Sequence, residues 1–302
     1  MTTRLLLAAA FALAATQASA ECSLKQLATL DVTTIGGRTY VPVTLAGESG
    51  LMRLTLTGIT SIVSEDFVKR HDLRRDSINQ NVFINVGGQD VHQRVSVPLE
   101  MGGSKGEVHM GIVPKPLDDE PRSFGLLGLD VLNLFDVELD LGHGKIRLFS
   151  RDHCKGQVVY WTRSAPVAVA PLETNGQMSF VVPMQLEGKD IDAVFTTDAE
   201  GALDGDIARQ DYATGDETSH VFKTLTVDGL GIANARIQIR PASGCNGRSR
   251  LRGKPLLTER NPEFERCYGE PELTLGVAEL KHLRIFISFE ERSLYVTGAD
   301  AG

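Results

Sequence analysis

Apolar and acidic residues alternate with period two through Phe135, Val137, Leu139 and Leu141, and after a polar break the apolar phase resumes at Ile146 and Leu148. This pattern predicts two strands in a hairpin with one face buried. It returns near the C-terminus. Residues 128–149 and 276–297 align without gaps, so Leu283, Ile285, Ile287 and Phe289 fall in phase with the first set, and Leu294 and Val296 match Ile146 and Leu148. Phe286 is the one departure, an apolar residue on the polar side. Short helical turns are expected at Asp130 to Asn133 and Ala278 to Lys281, just before the two hairpins.

The repeat extends further. Val41-Pro42-Val43-Thr44-Leu45-Ala46-Gly47 matches Val182-Pro183-Met184-Gln185-Leu186-Glu187-Gly188, and Thr57 is paired with Thr197. The second half carries extra residues from Ala242 to Gly269. Further strands are expected at Leu27 to Val32, Val82 to Val86, Val95 to Leu99, Val108 to Val113, Val158 to Trp161, Leu225 to Val227 and Ala235 to Ile239, punctuated by Gly and Asn. Helices are expected at Ser64 to His71 and Asp204 to Gln210. The chain therefore reads as all-β with short helices, duplicated into two lobes at 21–150 and 172–302, joined by a linker over 151–171 that contains Pro166 and Pro171.

Residues 1–20 read as a secretory signal. Arg4 is their only charge, Leu5 to Ala15 is a short apolar run, and Ala18-Ser19-Ala20 fits a small-residue cleavage site. No segment reaches the ~20 apolar residues of a membrane-spanning helix. Glu21 directly before Cys22 argues against lipidation. Periplasmic or secreted localisation is expected. Losing Arg4 takes the formal net charge from −8 to −9, which argues against nucleic acid or an anionic membrane as a general partner. The cysteines, Cys22, Cys154, Cys245 and Cys267, are even in number, and none form C-x-x-C. In an exported chain this favours disulfides. Three pairings are open from sequence. The duplication selects Cys22 with Cys154, at the ends of the first half, and Cys245 with Cys267, bracketing the second-half insertion.

In each half an apolar strand runs into a small polar turn: Arg53-Leu54-Thr55-Leu56-Thr57-Gly58-Ile59-Thr60 and Ala193-Val194-Phe195-Thr196-Thr197-Asp198-Ala199-Glu200. An expected helix follows each turn. Later in each half comes an apolar-apolar-Gly element or its near match, Leu126-Leu127-Gly128 and Thr274-Leu275-Gly276. These features resemble the retropepsin-like and pepsin-like aspartic protease superfamily, in the form found in exported bacterial proteins. The resemblance covers nearly all of the chain after residue 20. It implies a double β-barrel with a cleft between lobes, and flap hairpins that Gly87-Gly88 and Gly229 would mark.

The resemblance also says where chemistry should lie. Family members carry Asp-Thr-Gly in each turn, and the two carboxylates share one proton because both cannot ionise at close range. Here Leu56 and Thr196 are assigned to the aspartate positions, Thr57 and Thr197 to the threonines that hold the two loops together across the lobe interface, and Gly58 and Asp198 to the glycines. Neither Leu56 nor Thr196 is a general acid or base near neutral pH. Leu56 would put apolar surface on the floor of the cleft. Asp198 reads as a turn aspartate in preference to a displaced catalytic one, and Asp130 as a cap of the short helix after Gly128.

No other chemistry competes. The seven histidines are scattered, without metal-ligand spacing. Gly47-Glu48-Ser49-Gly50 is one residue short of a nucleophile elbow. The basic run of Arg248, Arg250, Arg252 and Lys254 reads as a solvated loop or a docking patch for an acidic partner. No cofactor or metal is expected, and a monomer is. The first function expected is a catalytically inactive pseudoprotease that binds peptide or protein segments between its lobes. An active periplasmic aspartic endopeptidase with an atypical catalytic set is the alternative, and an assembly partner using its outer surface is a third reading.

Overall fold

A computed structural model describes residues 23–58, 60–78, 84–174, 180–214, 217–242 and 271–301. The Cys22–Cys154 and Cys245–Cys267 pairings each involve residues outside this set, as does the basic run 248–254. Cys154 itself is not free. Among the described residues no helix is long and apolar enough to cross a membrane.

Each half closes a barrel. In the first, Arg38–Leu45 pairs with Glu48–Leu54, which lies parallel to Ser123–Leu127. The order continues through Ile62–Ser64, Ser104–Val113 and Gln93–Met101, which returns to Arg38–Leu45. In the second, Phe180–Leu186, Lys189–Phe195, Leu273–Leu275, Ala202–Asp204, Leu230–Arg240 and Ser219–Val227 repeat the same order and the same parallel and antiparallel sense, closing on Phe180–Leu186. Both first hairpins turn through two residues with positive φ, Ala46-Gly47 and Glu187-Gly188. That backbone suits the tight two-residue connection the strand twist requires.

The helices match their expected positions closely. Glu65–Arg70 is capped by Ser64, whose hydroxyl accepts from the Phe67 N–H, and His71 ends it. Gly205–Tyr212 is capped by Asp204, which accepts from the Asp206 and Ile207 N–H groups. Leu129–Leu132 and Val277–Leu280 precede the closing hairpins.

Those hairpins do not belong to either barrel. They meet in a third sheet, ordered Gln26–Asp31, Lys145–Phe149, Asp136–Asp140, Leu283–Ser288, Ser293–Gly298 and Ala168–Pro171. The two halves join at its centre, where Val137, Glu138 and Leu139 face Ile287, Phe286 and Ile285. Ala168–Pro171, read from sequence as linker, is thus an edge strand of this sheet. One apolar cluster runs continuously through both barrels and one face of the shared sheet.

The opposite face differs from expectation. Asp136, Glu138 and Asp140 alternate with apolar residues as predicted, yet all three are buried. The segment after Phe149 folds back over Asp136 and Glu138, and Asp140 is covered by His143, Arg147 and Arg284. Val158 was expected in a strand, but 158–161 forms none. Val158 instead packs with Phe149, Phe286 and Tyr295 in a satellite core, so Phe286 does not interrupt a wet surface. Beside this core, the buried Glu138 carboxylate accepts from Tyr160 Oη at 2.6 Å and from Arg284 Nε at 2.9 Å, and pairs with Arg147. Burial and the adjoining Glu138 push the Tyr160 phenol up to about 12.

Candidate functional site

The two polar turns lie at the barrel ends that face each other, and hydrogen bonds fix their register. Leu54 pairs with Leu127 and Phe195 with Leu275. The next residue in each turn, Thr55 or Thr196, donates its N–H to the carbonyl of Leu127 or Leu275, at 3.0 and 2.9 Å. Thr55 and Thr196 are therefore equivalent. It follows that Leu56 corresponds to Thr197, and Thr57 to Asp198.

The local bonding agrees. Thr55 Oγ1 accepts from the Thr57 N–H at 3.2 Å and contacts Thr57 Oγ1 at 3.1 Å. Thr196 Oγ1 accepts from the Asp198 N–H at 3.3 Å and donates to Asp198 Oδ1 at 2.5 Å. The sequence pairing of Leu56 with Thr196 is thus one residue out of step in the first turn. Beyond the turns, Ile62 and Ala202 occupy matching places opposite Leu126 and Thr274. The first turn accordingly holds one residue more than the second. A match of Thr57 to Thr197 is true to the spacing after the turns and false to the spacing before them.

This shift changes what each side chain does. Leu56 is 1% exposed and belongs to the main core, so it does not floor a cleft. Thr197 is fully buried, and its hydroxyl donates across the lobe interface to the Leu54 carbonyl at 2.8 Å. The Thr197 carbonyl accepts from the Thr39 N–H of the first lobe at 2.7 Å. In the first turn the place equivalent to Thr197 is taken by Leu56, which has no hydroxyl to match it, and Thr57 Oγ1 contacts Thr55 Oγ1 at 3.1 Å. Replacing Thr197 by Val should cost about 1–3 kcal/mol, the range for removing one partner of a buried hydrogen bond. Guanidinium unfolding should show a lower midpoint with an unchanged slope, and Thr197→Ser should lose less.

Neither Gly58 nor Asp198 adopts positive φ. The glycines that matter are the later ones. A side chain on Gly128 would meet the Gly58 carbonyl oxygen at 2.9 Å, and one on Gly276 would meet the Gly201 nitrogen at 2.5 Å. Each apolar-apolar-Gly element must lie directly against its turn.

Gly128, not Asp130, holds the N-cap position, although the Asp130 carboxylate does accept from the Val131 N–H in the first turn at 3.0 Å. It also accepts from the Ser61 N–H at 2.8 Å and the Ser61 hydroxyl at 2.6 Å, while Ser61 Oγ accepts from the Gly128 N–H at 3.0 Å. Burial raises the Asp130 carboxyl, and the Ser61 bonds partly offset this. In the second lobe Gly201 stands where Ser61 would be. Glu279 fills that space and accepts from the Gly276 N–H at 2.9 Å, its carboxyl raised by burial. Different residues thus satisfy the same buried amide in the two lobes.

Gly87-Gly88 does form a hairpin tip, with both residues at positive φ, between Asn85–Val86 and Gln89–Asp90. Ile84, Val86 and Val91 seat this hairpin on Ile62, Val113 and Leu126, just beyond the first turn. Gly229 does not mark a second flap. It turns the hairpin of Ser219–Val227 with Leu230–Arg240, which corresponds to the Gly102-Gly103 hairpin of the first barrel. Among the described residues no group of three or more His, Cys, Asp or Glu could hold a metal.

No protein-family model matches the chain, and no curated protein matches its sequence. Solved structures do match its fold. An aspartic proteinase from Irpex lacteus superposes with a TM-score of 0.56 at 9% identity, covering 90% of this chain and 97% of that one. Basic 7S globulin from soybean superposes with a TM-score of 0.56 at 11% identity, covering 93% and 99%. The chain has the two-lobed aspartic-protease-like fold, with two closed six-stranded barrels.

Proposed function

We propose that this chain is a pseudoprotease: an exported protein that keeps the aspartic-protease scaffold and holds extended peptide segments between its lobes without cutting them. The observation that carries the reading is the register of the turns. The equivalent residues directly after Leu54 and Phe195 are both threonines, Thr55 and Thr196, and both are buried. We assign these two places to the aspartates that the resemblance implies, in place of Leu56 and Thr196. A threonine hydroxyl can hold a hydrogen bond but cannot share a proton with a partner carboxylate. Asp198 is a single carboxylate, bonded to Thr196, and no second carboxylate stands at Thr57, its counterpart in the other turn.

Peptide capture of this kind would rely on backbone hydrogen bonds and side-chain pockets, neither of which requires catalytic carboxylates. The fold alone does not choose an activity, since it is shared by a chain named a proteinase and a chain named a globulin. Export rests on the character of residues 1–20. The test is digestion of an unstructured protein by the purified chain from pH 3 to 8, with and without an aspartic-protease transition-state inhibitor. No cleavage is expected. Inhibitor-sensitive cleavage would establish the endopeptidase reading instead, and failure to retain any peptide from a library would leave the outer-surface reading.

A further inference from the structure

The segment that covers the polar face of the shared sheet is fastened through one titratable residue. His153 is almost wholly buried, its side chain 2% exposed. Its Nε2 lies 2.5 Å from Asp136 Oδ2, and its Nδ1 lies 3.2 Å from the Cys154 carbonyl and 3.6 Å from Glu291 Oε1. Both ring nitrogens therefore face oxygen acceptors. A neutral imidazole has one N–H and one lone pair, so it would set that lone pair against an acceptor. Only the imidazolium, with two N–H groups, matches these surroundings.

The acceptors are themselves held in place. Asp136 also accepts from Ser288 Oγ and the Phe289 N–H, each at 2.9 Å, which fixes the orientation of its carboxylate. Glu291 accepts from the Gly156 N–H at 3.0 Å and from Tyr295 Oη at 2.5 Å. The Phe286 ring edge closes the remaining side. Beside this group, Arg151 reaches Glu290 at 3.1 Å. Further along, the segment is attached by Tyr160 to Glu138 and by Trp161, whose Nε1 donates to Thr297 Oγ1 at 3.0 Å and whose ring lies under Arg284 at 4.4 Å.

We propose that residues 151–165 form a proton-controlled clasp: the His153 imidazolium, bridging Asp136 and Glu291, holds the segment over the buried acidic face, and loss of its proton releases it. Deprotonation would leave the Asp136 and Glu291 carboxylates buried without the cation between them, which is unfavourable in a low-dielectric setting. Burial pushes the imidazole down, but the Asp136 hydrogen bond, the Cys154 carbonyl and the two carboxylate charges together raise it above its ordinary value of 6.5. For a base with a raised folded value, the stabilisation is complete below pH 6.5 and disappears as pH rises through the folded value. The clasp is therefore closed below pH 6.5 and opens as pH rises through the folded value.

Trp161 is the only tryptophan in the chain, so its fluorescence reports this segment alone. The experiment follows Trp161 emission and amide hydrogen exchange of the peptide 155–165 in the full chain from pH 5.5 to 9.5, with exchange corrected for its intrinsic pH dependence. The wild type should show a red-shift and an at least tenfold rise in corrected exchange with one midpoint above 6.5, while the barrel strands stay protected. His153→Gln, which has no proton to lose, should be insensitive to pH over this range. Glu291→Gln, which removes one of the two anions, should move the midpoint down by about one pH unit. A flat wild-type profile would overturn the proposal. So would a His153→Gln profile with the wild-type midpoint, or a Glu291→Gln midpoint that does not move.

Discussion

Replacing Leu56 by aspartate should cost about 3–5 kcal/mol of stability and yield no acid-pH hydrolysis. On the sequence alone this substitution looks like the restoration of a lost catalytic group. In the structure Leu56 is 1% exposed within the main core, next in chain to the buried Thr55. The substitution removes most of a buried leucine and inserts a carboxyl into the apolar core. Burial will raise that carboxyl above the ordinary aspartate value of about 3.9. A carboxyl whose folded value is raised destabilises the protein increasingly as pH rises above its unfolded value. The loss should accordingly be smallest near pH 4 and largest at neutral pH. Guanidinium unfolding at pH 4 and pH 7 measures the difference. Leu56→Met, which conserves volume, should lose less than about 1.5 kcal/mol. A stable Leu56→Asp variant with measurable hydrolysis would overturn both the register and the account of the site.

The second large effect is expected at Glu138. Glu138→Ala should destabilise by about 3 kcal/mol or more, because breaking a buried ion pair leaves its partner charges uncompensated. Glu138 is completely buried at the centre of the shared sheet, between the two halves. Arg147 and Arg284 both converge on it, and Tyr160 donates to it. Asp140 pairs with both arginines at longer range, 3.2 and 3.9 Å, and limits the loss. The variant also has a spectroscopic signature. Without the Glu138 charge, the Tyr160 phenol should ionise below the value of about 12 set by burial and that carboxylate. Absorbance titration of the tyrosines in the two proteins checks this, and an unchanged stability would show that Asp140 alone suffices for both arginines.

Much of the fold is legible in the sequence because the chain states it twice. Period-two alternation fixed the phase of both closing hairpins, and the caps Ser64 and Asp204 are side chains whose preference for that position is chemical. The turns were less legible. They have no periodicity, and the identity of Thr57 and Thr197 suggested a pairing that the hydrogen bonds of Thr55 and Thr196 contradict. A one-residue difference inside a turn leaves no trace in the pattern of either flanking strand. The burial of Asp136, Glu138 and Asp140 was hidden for another reason. Alternating acids read as a wet face, and the partners that bury them, His153 and Tyr160 from the following segment and Arg284 from the other half, are distant in the chain.

The order of strands in the shared sheet has a consequence for how the molecule can be divided. Its seam runs down the middle of a sheet, between Asp136–Asp140 and Leu283–Ser288. Severing the chain between its halves would not yield two self-sufficient modules. Each fragment would carry a raw central edge of unpaired amides and carbonyls, and the first would also bare the carboxylates of Asp136, Glu138 and Asp140. The duplication visible in the chain is therefore not a pair of independent units: each half is the missing neighbour of the other.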